Sequence, residues 1–266
     1  MATATPYAAL SATFDRSTER PAEGTPLPAL WHWLYFLPLH RQSEIGPDGH
    51  AKRGGFLPPV PLPRRMWAGS QFHFHQPLRI GDAMTRTSTI DSVTEKQGRT
   101  GTLVFVKVRH EICRNGETDI ALTEFHDIVY REAARPDDVA SPPKAAPGTA
   151  IWQKHWVPDD VLLFRYSALT FNGHRIHFDR KYVTSVEGYP GLVVHGPMVA
   201  TLLLDLLRDH RPDAVVASYE FRAVRPLFDI HPFNVCCEPQ PDGRTFRLWA
   251  QDHEGWLTME ATAVIR

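Results

Sequence analysis

The chain has 266 residues, of which 42% are hydrophobic and 22% are charged, as in an ordinary soluble globular protein. Its 29 Lys and Arg residues nearly balance its 30 Asp and Glu residues, and no basic run is present that could follow phosphates, so we expect no nucleic-acid partner. No apolar run approaches the roughly 20 residues that a membrane helix needs, which argues against a membrane protein.

The N-terminal segment has neither the charged start nor the sustained apolar core of a secretory signal, and it is too poor in Arg for a transit peptide. The three cysteines, Cys113, Cys236 and Cys237, do not have the spacing of metal ligands. We therefore expect a protein of the reducing cytoplasm.

The first part of the chain predicts one helix followed by a sheet. Residues 26–40 (PLPALWHWLYFLPLH) are mostly apolar and are predicted to form a helix that ends near Pro38. Alternating apolar and polar residues then predict half-buried antiparallel strands. These strands cover residues 70–78, 83–93, 99–112 and 119–132, and Asn115-Gly116 gives a hairpin turn.

The second part repeats this order after a linker. Residues 133–149 are rich in Pro and Ala without periodicity, which is typical of a linker. Residues 195–212 (HGPMVATLLLDLLRDHRP) predict an almost wholly apolar helix, because Pro197 suits the first helical turn. Four further strands are predicted, at residues 215–228, 231–240, 244–254 and 256–266.

Two short motifs recur in the same order and indicate an internal duplication. The pattern F-x4-P-L begins at Phe72 and again at Phe221, and Gly-Arg-Thr begins at Gly98 and again at Gly243. We therefore expect an α+β fold of two tandem units, residues 1–132 and 150–266. In each unit a curved antiparallel sheet wraps a long apolar helix, which is a double hotdog arrangement.

The segment TFNGHRIHFD, residues 170–179, gathers Asn172, His174 and His177 within six positions. Together with Tyr166 and the following YPGLVVHGP, it resembles the signature of the hydratase 2 or MaoC-like dehydratase family. The resemblance implies that His177 is the catalytic His and that Asn172 stands where the family usually has its catalytic Asp.

The same resemblance covers the start of the second helix. It implies that the backbone amide of Gly196 binds the thioester carbonyl, and that Val194, two residues earlier, lies against the substrate. A backbone N–H at a helix N-terminus suits this task, because negative charge develops on that oxygen only after attack. Glycine also lets the acyl chain approach the backbone closely.

Three sequence features resemble one branch of the family: FNGHRIH in the motif, with HWLYFLP and PLPRRMWAG in the first half. That branch holds the two-hotdog mesaconyl-CoA and itaconyl-CoA hydratases and the mitochondrial-type hydroxyacyl thioester dehydratases. It implies reversible hydration of the 2,3-double bond of an enoyl-CoA substrate, with no cofactor. A branched dicarboxylyl-CoA is favoured, with citramalyl-CoA as product. The alternatives are a 3-hydroxyacyl thioester dehydratase of fatty acid synthesis and a non-catalytic hotdog that only binds acyl thioesters.

Hydration requires a group that takes a proton from water. A His side chain is suited to this because its unperturbed pKa lies near ~6.5. The side-chain amide of Asn172 cannot accept that proton, although it can hold the water through its carbonyl oxygen or donate to it. We therefore interpret His177 as the sole general base, which then hands the proton to the α carbon, and Asn172 as its water-orienting partner.

The first unit has no motif of this kind and is expected to supply a substrate tunnel. Arg64 or Arg65, in the segment PLPRRMWAG with Trp67, could grip the free carboxylate of the substrate or the phosphates of the nucleotide, because Arg offers a planar fork to such groups. The alternative is a solvated loop whose Trp packs on the core.

A metal site is the remaining alternative for the motif segment. His174, His177 and His195 could supply nitrogen ligands for zinc, but no H-E-x-x-H pattern is present and no Cys lies nearby, so we expect no metal. His174 is interpreted as a residue that braces the segment or contacts the ligand. Two fused units can already form the pair that single hotdogs make by dimerising, and a homodimer of the whole chain stays an alternative.

Overall fold

The computed structural model describes residues 1–16, 20–98, 101–133 and 142–266. Its strands are β1 (Arg64–Phe74), β2 (Met84–Gly98), β3 (Gly101–Arg114), β4 (Ile120–Arg131), β5 (Trp152–Trp156), β6 (Val216–Ala223), β7 (Phe233–Pro239), β8 (Thr245–Asp252) and β9 (Leu257–Ile265). Its helices are α1 (Ala4–Thr13), α2 (Asp160–Thr170), α3 (Arg180–Ser185) and α4 (Gly196–His210). Part of one repeated motif, residues 99 and 100, and most of the predicted linker, residues 134–141, lie outside the described residues.

The strands form one antiparallel sheet in the order β2-β3-β4-β1-β6-β9-β8-β7-β5. From the centre outward the order is β1, β4, β3, β2 on one side and β6, β9, β8, β7 on the other, so equivalent strands of the two repeats occupy equivalent places. The halves join where β1 pairs with β6, with Ser70 opposite Phe221. A Cβ on Gly69 would lie 2.4 Å from the Phe221 carbonyl oxygen, so this junction needs glycine. The topology is that of an internally duplicated chain.

Backbone hydrogen bonds in front of the two predicted helices are also equivalent. The Leu27 amide donates to the Leu78 carbonyl at 2.7 Å, and the Val194 amide donates to the Leu227 carbonyl at 2.8 Å. Leu78 and Leu227 are the last residues of the repeated F-x4-P-L pattern. The segment around residue 27 is therefore the counterpart of the segment that leads into α4.

The long helix predicted over residues 26–40 was nevertheless wrong. The structure has a single 3-10 turn there, Trp31–Leu34, and Leu30 in front of it adopts the left-handed region with φ 70°. The indole of Trp33 donates to the carboxylate of Glu124 at 2.9 Å. Glu124 is 1% exposed, and a buried charge requires such donors. This tertiary hydrogen bond, with the three prolines of the segment, replaces the helical ladder.

The predicted helix of the second half is confirmed as α4. Every residue from 198 to 207 is buried, including Asp205, which forms ion pairs with Arg16 and Arg208 at 3.3 Å and 2.9 Å. One hydrophobic core takes in α1, α2, α4 and the inner residues of both halves of the sheet. Among the described helices, none combines the length and apolar character that crossing a bilayer needs.

The eight predicted strands are present with shifted ends. The earlier start of β1 changes the interpretation of the segment PLPRRMWAG. Strand β1 begins at Arg64, six residues before the predicted start. The alternative of a solvated loop over the segment PLPRRMWAG is therefore wrong, because most of that segment belongs to the sheet. Neighbouring residues of a strand point to opposite faces, so Arg64 and Arg65 cannot serve the same site.

Candidate active site

The motif segment begins as an ordered turn at the end of α2. Phe171 adopts the left-handed region with φ 50°, and the Asn172 amide then donates to the Ser167 carbonyl at 2.8 Å. The side-chain oxygen of Asn172 accepts the backbone N–H of His174 at 3.0 Å. Asn side chains often stabilise turns by bonds of this kind. The bond therefore stabilises the turn and also fixes the orientation of the Asn172 side chain.

A 3-10 turn, Arg175–His177, follows and brings His177 under the start of α4. The His177 Nδ1 donates to the Val193 carbonyl at 2.7 Å, because a carbonyl can only accept. Its ring stacks on that of His195, with centroids 3.8 Å apart and planes 18° apart. Burial lowers the pKa of His177 to about 4. The ring is therefore neutral near pH 7, and its Nε2 carries the lone pair.

His195 supports this arrangement from the N-cap position of α4. It is fully buried, and its Nε2 pairs with the hydroxyl of Ser167 at 2.8 Å. Burial lowers its pKa well below the usual value. Gly196 follows as the first residue of α4 and is partly exposed, and a Cβ there would meet only the Met259 Cε, at 4.0 Å. An uncrowded backbone amide at a helix N-terminus is suited to a negatively charged oxygen.

A cavity of about 1350 Å³ lies between the first half of the sheet and the motif segment. The segment 38–58 covers it, β1 and β4 supply one wall and the motif segment supplies another. Residues that face it include Arg65, Trp67, His126, Ile128 and Tyr130 from the first half, and Ser167, Phe171, Asn172, Gly173, Arg175 and Phe178 from the second.

The structure therefore brings together three of the predicted site residues, Asn172, Arg65 and Trp67, on the wall of one cavity. His177 is 8% exposed and belongs to the same segment as Asn172, but His174, His177 and Gly196 are not among the residues that form the wall. Val194 is 4% exposed and packs in the core.

The two arginines diverge, as their positions on a strand require. The Arg64 Nη2 donates to the hydroxyl of Tyr189 at 3.2 Å, and Arg64 is not among the residues that form the cavity wall. Trp67 is held in the cavity by its indole N–H, which donates to the Gly69 carbonyl and to the Ser70 hydroxyl, each at 2.9 Å.

A loop that the sequence patterns did not predict docks on the motif segment. His50 faces the cavity, and its ring lies 3.8 Å from that of His174, centroid to centroid. The His50 Nδ1 pairs with the Asp48 carboxylate at 3.0 Å, and this bond holds the pKa of Asp48 well below its usual value. The signal was the short pattern Asp-Gly-His, which carries no information about a partner 124 positions later in the chain.

The docked loop also changes which residues could hold a metal. Within the described residues, the ligand atoms of Asp48, His50 and His174 lie within 4.8 Å of one another. The sequence suggested His174, His177 and His195 as alternative zinc ligands, and of these only His174 belongs to this group. Burial lowers the pKa of His174, so it is neutral and has a lone pair to offer.

A second missed feature is a buried carboxylate below the cavity. Glu124 accepts hydrogen bonds from Trp33, from His32 at 3.0 Å and from His126. Burial by itself raises the pKa of this carboxyl, but His126 and His32 outweigh it and hold the pKa well below its usual value. His126 faces the cavity, and its ring packs on Trp67 with centroids 4.4 Å apart.

Comparison with known proteins agrees with this architecture. The family model for hydroxyacyl-thioester dehydratase type 2 matches residues 30–229. The mesaconyl-C(4)-CoA hydratase of Chloroflexus aurantiacus is 46% identical over 254 residues, which cover 96% of this chain and 89% of that protein. The mitochondrial hydroxyacyl-thioester dehydratase type 2 of Schizosaccharomyces pombe is 25% identical, over 86% of this chain and 81% of that protein.

Solved structures share the fold at much lower identity. The crystal structure of HtdX from Mycobacterium tuberculosis has a TM-score of 0.68 at 17% identity, and the match covers 98% of this chain and 95% of that one. A MaoC-like dehydratase from Phytophthora capsici has a TM-score of 0.68 at 13% identity, over 99% of this chain and 93% of that one. The double hotdog prediction is thereby confirmed.

Proposed function

Because the chain belongs to the hydroxyacyl-thioester dehydratase type 2 family, we propose that it is a hydro-lyase that adds water reversibly to the 2,3-double bond of an enoyl-CoA thioester. We assign mesaconyl-C(4)-CoA as the substrate and citramalyl-CoA as the product. The observation that carries this proposal is the 46% identity, over 96% of the chain, with a relative named mesaconyl-C(4)-CoA hydratase.

The proposed chemistry begins at His177. Its neutral Nε2 takes a proton from water, and the hydroxyl oxygen bonds to the β carbon. The π electrons then move onto the thioester oxygen, where the Gly196 amide and the positive end of α4 stabilise the enolate. The enolate takes a proton at its α carbon, which completes the hydration. Burial of His177 supports this assignment, since a neutral ring is the form that can accept a proton.

Asn172 is assigned to the water itself. Its side-chain oxygen already accepts the His174 amide, so the NH₂ group is the part of the side chain that can orient the water by donating to it. Asn172 faces the cavity, and its carbonyl oxygen is already engaged by the His174 amide. This favours donation over the alternative in which the carbonyl oxygen holds the water.

Arg65 is assigned to an anionic group of the substrate. Of the two arginines in the segment, it is the one that faces the cavity, and a guanidinium matches the planar geometry of a carboxylate. Mesaconyl-C(4)-CoA carries one free carboxylate that crotonyl-CoA lacks, so the two substrates can separate this role from general CoA binding.

A second candidate is the 3-hydroxyacyl thioester dehydratase of fatty acid synthesis. It is favoured by the name of the Schizosaccharomyces pombe relative, a hydroxyacyl-thioester dehydratase type 2 that is 25% identical. This dehydratase would remove water from the 3-hydroxyacyl thioester, which is the reverse of the hydration described above. The two candidates differ in acyl chain, not in chemistry.

The test is to incubate the purified protein with crotonyl-, mesaconyl-C(4)- and itaconyl-CoA and to follow the loss of enoyl absorbance. We expect the highest kcat/KM with mesaconyl-C(4)-CoA. A preference for longer unbranched thioesters would favour the fatty acid dehydratase. Binding of all three without any loss of absorbance would replace the proposal with a non-catalytic thioester-binding hotdog.

We assign the enzyme to a reducing compartment, the cytoplasm. Cys113, Cys236 and Cys237 are free thiols, and burial raises the pKa of Cys236 and Cys237 to about 12. Such buried thiols are poor nucleophiles, so the adjacent pair serves packing and not redox chemistry.

A further inference from the structure

The loop that contains Asp48 and His50 places a carboxylate–imidazole pair at the candidate active site, from the half of the chain that has no motif. We propose that His50, oriented by Asp48, is a second acid–base residue of this site and gives its Nε2 proton to the α carbon of the substrate. The inference rests on the proposed hydration and assigns one of its two proton transfers.

Backbone contacts fix the position of the pair. The Arg175 amide donates to the Asp48 carbonyl at 2.9 Å, and the Arg175 Nη1 donates to the Pro47 carbonyl at 3.0 Å. Between these bonds, Gly49 lies so close to Gly173 that a Cβ on Gly49 would be 1.7 Å from the Gly173 carbonyl oxygen. The loop is therefore seated against the motif segment by two main-chain contacts and by one bond from the Arg175 side chain.

The rings form a continuous row across the two segments. His50 lies 3.8 Å from His174, and His174 meets His177 edge to face at 5.5 Å, centroid to centroid. His50 also faces the cavity that Asn172 faces. Burial lowers the pKa of His177 most, and the nearby His50 adds to this effect.

The pair supplies a chemical function that the motif segment lacks. Asn172 has no titratable group, so without a second residue His177 would have to take the proton at the β carbon and deliver it at the α carbon. A carboxylate bonded to an imidazole orients the ring and stabilises the imidazolium. Asp48 orients the ring of His50 through the bond to Nδ1, and this leaves proton transfer to Nε2.

The steps balance with two residues. His177 Nε2 gains the proton of water while the C–O bond forms at the β carbon and the electron pair of the double bond moves to the thioester oxygen. The enolate then returns this pair to form the C–H bond at the α carbon, and His50 Nε2 loses a proton. Transfer from His177 to His50, by way of His174 or solvent, restores both rings, so no oxidant or metal is consumed.

The experiment compares His50→Ala, Asp48→Asn and the double variant with the wild-type protein on mesaconyl-C(4)-CoA. We expect His50→Ala to lower kcat by about 100-fold, within the range for general acid catalysis, with KM changed by less than about three-fold. Asp48→Asn should lower kcat by about 10-fold, and the kcat of the double variant should equal that of His50→Ala. Added imidazole should restore part of the kcat of His50→Ala, which a structural role would not allow. His73→Ala, on the exposed side of β1, is the matched control.

Two outcomes would overturn the inference while the proposed function stands. In the first, wild-type protein hydrates the substrate and His50→Ala retains its kcat. In the second, activity depends on a divalent ion that chelator removes and zinc restores, and His50→Ala abolishes zinc binding, which makes Asp48, His50 and His174 metal ligands. Absence of wild-type activity with every thioester would overturn the proposed function as well.

Discussion

The imidazole of His177 lies flat against that of His195, with ring centroids 3.8 Å apart, and this stack joins the motif segment to the N-terminus of α4. Burial lowers the pKa of both rings. The positive end of a helix dipole also disfavours a proton on His195 at this position. The stack therefore keeps two uncharged rings at the place where the thioester oxygen is proposed to become negative.

His177→Asn should lower kcat by about 10²- to 10⁴-fold, because it removes the ring nitrogen that takes the proton. The Asn side chain can still donate to the Val193 carbonyl, as Nδ1 does in the wild type. Steady-state hydration and thermal melting are measured on the same preparation. Turnover within three-fold of wild type at an unchanged Tm would exclude His177 as the base.

Asn172→Ala should destabilise the protein by about 1 kcal/mol, the usual net value of one hydrogen bond, because the His174 amide loses its acceptor. Asn172→Asp keeps an acceptor of the same shape and should keep the stability. Urea unfolding of the two variants gives the comparison. An equal loss of unfolding free energy in both variants would show that the turn does not depend on the side-chain oxygen at position 172.

Arg65→Ala should raise the KM for mesaconyl-C(4)-CoA more than the KM for crotonyl-CoA, because only the first substrate has a free carboxylate. Arg64→Ala is the matched variant, since Arg64 pairs with Tyr189 and should change both constants less. The ratio of the two KM values is the measurement. An equal rise for both substrates in Arg65→Ala would assign the guanidinium to the CoA part instead.

Gly49→Ala should impair activity by displacing the loop that contains His50, because its new Cβ would clash with the Gly173 carbonyl oxygen. Gly54→Ala controls for backbone strain. Gly54 also has positive φ, at +95° against +88° for Gly49, but no atom lies within 4 Å of the added Cβ. We expect the fall in kcat to be at least ten times larger in Gly49→Ala than in Gly54→Ala. Similar losses in both variants would point to strain and not to docking.

His110→Gln should weaken the dependence of stability on pH. Burial lowers the pKa of His110 to about 3. Between about 6.5, its value in an unfolded chain, and 3, the unfolded state binds a proton that the folded state does not, so stability falls as the pH falls. Between pH 7 and pH 5.5, the titration of His110 lowers the free energy of unfolding by about 1 kcal/mol.

Urea unfolding at those two pH values checks this expectation, and His73→Gln, on the exposed side of β1, should show the full wild-type fall. Gln at position 110 can still bond to the Ser88 hydroxyl, so the comparison removes the titration and keeps the contact. An unchanged pH dependence in His110→Gln would show that the ring does not stay neutral in the folded protein.

Local patterns were sufficient for eight of the nine described strands and for the long helix, whereas the edge strand β5 was not predicted. The alternation in β3 and the apolar run of α4 are properties of neighbouring residues, and the structure keeps them. The repeated F-x4-P-L pattern also survives as equivalent backbone bonds at Leu78 and Leu227. β3 buries one face and α4 is buried on all sides, so both patterns are visible without knowledge of their partners.

The segment over residues 26–40 and the loop around His50 could not be predicted in this way. Trp33 leaves the helical pattern to bond a carboxylate on β4, and His50 finds its place against a ring 124 positions further along the chain. By itself the sequence determined which residues could handle protons. The tertiary structure alone decided which of them meet, because a buried carboxylate and a main-chain contact between distant glycines act only after the chain has folded.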